Sequence, residues 1–129
     1  MFKFKIHNSF RPTGFKFKIS LSVLTVSILW LALMPADAAP SGLGWDKLNH
    51  AGAIAVVTGL AYLSFRSRVW AAAGAFLYGT SLGVLIEILQ ASLATGRSAE
   101  WSDVAADLVG AGIAWGAIRI YQRRTAPKR

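Results

Sequence analysis

Cysteine is absent from the sequence, which removes a disulfide framework, a thiolate nucleophile and Cys-ligated zinc, and with them any inference of redox compartment. Charge is scarce as well, at 16% of residues against 54% that are hydrophobic. A chain of 129 residues with that balance is one small domain too apolar for an ordinary soluble fold, and a membrane protein is its default class. Acids are few, with only six Asp and Glu residues. Any metal would therefore draw on histidine and those carboxylates. No two histidines stand four apart as in a helical zinc site, so spacing assigns no metal, and no cofactor motif is present.

What the chain has is four apolar stretches, at residues 19–36, 48–65, 69–93 and 104–121. Each approaches or exceeds the roughly 17 to 25 residues that a bilayer-crossing helix needs. The junctions carry turn chemistry: Pro35, Pro40 and Ser41-Gly42 in the first, Ser64 to Ser67 in the second, and Thr95-Gly96 in the third. The reading is all-α, an integral membrane four-helix bundle. It comprises a basic N-terminal segment (1–18), a transmembrane domain (19–121) and a basic tail (122–129).

Lys and Arg counts by segment set the orientation. Twelve of the fourteen lie before the first stretch, in the turn at Arg66 and Arg68, or at the C-terminal end; only Lys47 and Arg97 lie on the opposite side. Both termini are therefore expected in the cytoplasm, with the loops at 37–47 and 95–103 facing outward. All six acids fall in those loops or the helix ends that join them. The net charge of +8 is thus topological, and nucleic acid is not an expected partner.

The segment Phe-Lys-Phe-Lys-Ile occurs twice, at Phe2 to Ile6 and at Phe15 to Ile19. It reads either as a poorly ordered tail or as an interfacial segment on anionic lipid. The basic start, the apolar run and Ala36-Asp37-Ala38 also fit a signal peptide with a small-residue cleavage site. The long basic region and the length of the apolar run favour a retained first span.

Polar residues in the spans mark the candidate site, because ionisable groups are costly in lipid. Ala75, Gly79, Gly83 and Glu87 recur every four residues, a small-residue stripe along which helices approach closely, with Glu87 on the packed face and Gln90 near it. Asp46 and His50 open the second stretch one turn apart. Asp46 also suits a helix start, His50 can move a proton near neutral pH, and Lys47 can snorkel to headgroups. In the second outer loop Gly96 suits a left-handed cap, Trp101 an interface belt, and Ser102 or Asp103 an N-cap. Arg97 can hold a phosphate or carboxylate bidentately. Asp103 and Asp107 lie one turn apart and could hold a cation together, in a helix whose Gly110, Ala111 and Ala114 permit close contact.

Taken together, Asp46-Lys47-x-x-His50, Glu87-x-x-Gln90 and Gly96-Arg97-Ser98 followed by Asp103 and a small-residue helix resemble the VanZ-like family in order, spacing and placement. Two departures stand out: Thr95 where a proline often precedes Gly-Arg, and Asp107 where asparagine is common, which adds an acid. The resemblance implies a small bacterial inner-membrane protein of a family named for a member linked to teicoplanin-type glycopeptide resistance. Three function classes follow from the chain. The first binds or modifies a cell-envelope amphiphile, such as a lipid-linked wall precursor, through the outward polar groups. The second is an intramembrane enzyme using Glu87 and His50 as acid and base; Ser98 has no nucleophile elbow around it, so this class is the weaker one. The third is a structural subunit in which the polar groups only lock helices together.

Overall fold

The computed structural model describes residues 13–35, 37–38, 46–93, 96 and 98–126. Four helices account for nearly all of them: α1 (Thr13–Leu33), α2 (Asp46–Phe65), α3 (Ala71–Ser92) and α4 (Trp101–Thr125). No strand occurs among the described residues. At about 1.5 Å per residue, helices of this length reach roughly 30 to 38 Å, and all four are long and apolar enough to cross a membrane. Their outer surfaces agree with a lipid setting. Val23, Val26, Trp30, Val56, Leu77, Ile88, Val109 and Ile113 are all exposed, which in water would be a liability and in a bilayer is the expected solvent contact.

The helices run up and down in chain order. α2 is central and packs on the other three, whereas α1 lies against α2 and α3 and makes no contact with α4. Leu21, Ile54, Val57, Ala61, Ala75, Leu82, Ile86 and Ala111 form the buried core. Lipid tails are as apolar as these side chains, so close backbone approach has to supply the attraction. Three small-residue contacts provide it. A Cβ at Gly79 would collide with Thr58 of α2, one at Gly83 with Asp107 of α4, and one at Gly110 with the backbone carbonyl of Ala51 in α2. The expected stripe is buried along its whole length, from Ala75 through Gly79 and Gly83 to Glu87.

Helix ends depart from the apolar boundaries. α1 begins at Thr13 and takes in the second Phe-Lys repeat, where the Arg66 guanidinium lies 5.7 Å from the Phe17 ring centroid. The first repeat lies outside the described residues. α4 runs on to Thr125 through Arg123 and Arg124, cations that suit a helix C-terminus. Its N-cap is Glu100, in extended conformation and without a side-chain cap bond, so neither Ser102 nor Asp103 caps it. Both lie in the first turn. Gly96 does adopt a left-handed φ of 71°, but in the loop, three residues beyond the C-cap Leu93.

Candidate functional site

The start of α2, the end of α3 and the start of α4 meet at one end of the bundle, and each brings polar side chains inward. His50 stands between two carboxylates of α4. Its Nδ1 is 3.3 Å from Asp107 Oδ1 and its Nε2 is 3.8 Å from Asp103 Oδ2. The one-turn spacing of Asp103 and Asp107 puts both on one face, and a single imidazole reaches both.

Packing fixes this arrangement. Asp107 is 2% exposed and lies against Gly83, where a Cβ would approach its Oδ2 to 2.5 Å. Glycine at 83 thus makes the space that the carboxylate occupies. Glu87 is one turn further along α3 and also buried. Its Oε2 accepts the backbone N–H of Glu100 at 2.9 Å, while its Oε1 has no hydrogen-bond partner among the described residues. A buried acceptor left open in this way is costly.

Lys47 forms the rim. Its Nζ lies 3.4 Å from Asp103 Oδ1 and 3.6 Å from Glu100 Oε2, with its side chain about half exposed. Ser102 Oγ donates to that same Glu100 oxygen at 3.1 Å. His50, Glu87 and Asp103 each offer one ligand-type atom, and these atoms all lie within 4.8 Å of one another.

Of the residues singled out from sequence, Lys47, His50, Glu87, Asp103 and Asp107 come together here. Gln90 does not. It is buried, but its Nε2 donates to the Ala32 carbonyl of α1 at 2.9 Å, a link between helices. Ser98 is exposed in the loop before α4. Arg97 and the side chain of Asp46 lie outside the described residues.

Two participants escaped the sequence reading. Glu100 contributes its amide and its carboxylate through a conformation that no motif announces. Gly83 lines the cluster, and its place in the small-residue stripe was the available signal. One sequence match is excluded by its setting: Gly79-Thr80-Ser81-Leu82-Gly83 has nucleophile-elbow spacing, but it is continuous α3 helix with Ser81 exposed, not a strand-to-helix turn. An apolar groove of about 590 Å³ between α1 and α3, lined by Thr25, Leu29, Trp70, Leu77 and Leu85 among others, includes none of the clustered groups.

The sequence matches the family described as VanZ/LLP1 over residues 4–122, nearly the whole chain. No curated protein and no solved structure matches it.

Proposed function

Because the chain belongs to the VanZ/LLP1 family, we propose that it is a multi-pass bacterial plasma-membrane protein that binds or modifies a cell-envelope amphiphile at this polar cluster. In this reading both termini are cytoplasmic, the cluster faces outward, and the headgroup of a lipid-linked wall precursor or a related ligand engages it. Glycopeptide susceptibility of the teicoplanin type is the phenotype to examine. One observation carries the reading: the buried Glu87 Oε1, without a partner among the described residues, in a cluster with His50 and Asp103 whose rim is the half-exposed Lys47, at a helix end where a headgroup would lie. Polar groups that served packing alone would be expected to satisfy one another.

A second reading as an enzyme draws on His50, whose Nδ1 faces Asp107. A carboxylate behind an imidazole is how a general base is oriented. Turnover by purified protein separates the two, since a binder retains ligand without product.

The test is complementation of a deletion strain with wild type and Glu87→Gln, scored for glycopeptide susceptibility, envelope stress and membrane protein level. Loss of phenotype at normal protein level supports a ligand site. Full rescue by Glu87→Gln overturns it.

A further inference from the structure

We infer that the cluster is a binding site for one divalent transition-metal ion of the zinc or manganese class, held by His50 Nε2, a Glu87 carboxylate oxygen and Asp103 Oδ2. The inference rests on the outer-cluster reading for its purpose, but metal binding is measured without any amphiphile.

Geometry is the first support. His50, Glu87 and Asp103 come from three different helices, and one ligand-type atom of each lies within 4.8 Å of the others. Two ligands at about 2.1 Å from a tetrahedral ion stand roughly 3.4 Å apart. The 3.8 Å between His50 Nε2 and Asp103 Oδ2 is already close to that, and a contraction of up to about 1.4 Å brings in the third donor.

Asp107 stands where the outer support of such histidines comes from, although it makes no hydrogen bond to the ring here. Metal-bound imidazoles commonly present their other nitrogen to a carboxylate, which fixes ring orientation and raises ligand basicity. Asp107 Oδ1 is 3.3 Å from His50 Nδ1, which leaves Nε2 directed at Asp103. Asp103 divides its oxygens in the same way, Oδ1 toward Lys47 and Oδ2 toward His50.

Charge is the independent observation. Three carboxylates of Glu87, Asp103 and Asp107, each no more than 6% exposed, meet Lys47 and a single imidazole. With His50 neutral, as a metal ligand must be, and with Glu100 also drawing on Lys47, acids outnumber cations among the described residues of the cluster, an excess that a divalent ion would offset. Glu87 Oε1 is buried without a partner, an acceptor for which the described residues provide no donor. One nitrogen with two carboxylate oxygens is a borderline donor set, suited to Zn²⁺ or Mn²⁺ over Ca²⁺, which takes six to eight oxygens. Three protein ligands also leave a coordination position open, where a phosphate oxygen of a headgroup would meet positive charge in an otherwise acidic cluster.

The experiment uses the full chain purified in detergent, stripped with chelator and dialysed against Zn²⁺ or Mn²⁺, with bound metal measured by mass spectrometry. Wild type and Asp37→Asn, an exposed acid outside the cluster, should each hold about one ion per chain. His50→Gln, Glu87→Gln and Asp103→Asn should lose most of it, and Asp107→Asn should weaken affinity by about 10- to 100-fold. Wild type that retains no more metal than Glu87→Gln overturns the inference. Should a variant fail to accumulate, wild type alone decides: Zn²⁺ should raise its melting temperature where Mg²⁺ does not, and no rise overturns the site. Metal binding together with full phenotypic rescue by Glu87→Gln would sink the headgroup reading while leaving the metal site standing; lost phenotype without metal would do the reverse.

Discussion

Along the seam between α1 and the rest of the bundle, polar groups are closed on one another. The Thr25 Oγ1 and Tyr78 hydroxyl oxygens are 2.8 Å apart, and Gln90 donates to the Ala32 carbonyl at 2.9 Å. At the junction of α2, α3 and α4 the bonding among the described residues is incomplete: Glu87 Oε1 and both Asp107 oxygens lack hydrogen bonds, although Asp107 faces the His50 ring. Both regions are rich in polar groups within membrane-length helices. The difference teaches that polarity in a span does not identify a site; unfinished bonding gathered on several ionisable groups does so better, since the lone Thr58 Oγ1 beside Gly79 is also unpartnered. The α1 seam behaves as glue, and the junction holds capacity for something else.

The comparison can be broken by substitutions that move stability in one region and binding in the other. The largest loss is expected for Gly110→Val, because its side chain would meet the backbone carbonyl of Ala51, which cannot rotate away. Overpacking of this kind costs about 3 kcal/mol or more, and a collapsed melting transition in detergent would show it. Next comes Gln90→Glu, which removes the donor to Ala32 and adds a charge in a buried position. A cost of about 2 to 3 kcal/mol is expected, with an unfolding midpoint equal to wild type as the contrary result. Gln90→Leu removes the bond without adding charge and should cost about 1 kcal/mol, with metal uptake unchanged. Tyr78→Phe should cost only about 0.6 kcal/mol, since Thr25 is half-buried and its hydroxyl can turn to the backbone.

Glu87→Gln stands last on the stability scale and first on the functional one. A glutamine oxygen can still accept the Glu100 amide, while the charge that calls for a cation is gone. The expected result is a melting temperature near wild type together with lost metal. A strongly destabilised Glu87→Gln would place the junction in the same class as the α1 seam.

The fold was legible because a bilayer imposes a length and a composition on whatever crosses it, and four stretches met both. The helix ends were not, since hydropathy reports where lipid stops and backbone hydrogen bonding does not stop there. Thus α1 reaches past its apolar stretch through Phe15 to Lys18, and α4 past its own through Arg123 and Arg124. Within the site, one-turn spacings were readable: the stripe that ends at Glu87, and the pair Asp103 and Asp107. The Glu87 and Gln90 pair was misleading because three residues of helix leave a rotation of about 60°. That is enough to give Gln90 to α1 while Glu87 faces the junction. That His50 would stand between the α4 carboxylates depends on the approach of Gly83 and Gly110 to their neighbours, a property of three helices together that no local spacing encodes.

The bond from the Glu100 amide to Glu87 makes a loop proton a reporter on a side chain deep in the bundle. Exchange of that amide with deuterium is governed by how firmly the carboxylate holds it. A ligand that draws electron density from Glu87, or turns it, should speed the exchange at Glu100 while the helical amides of α3 stay slow. Occupancy of the junction could then be followed peptide by peptide in lipid nanodiscs, without a label and before any ligand has been named.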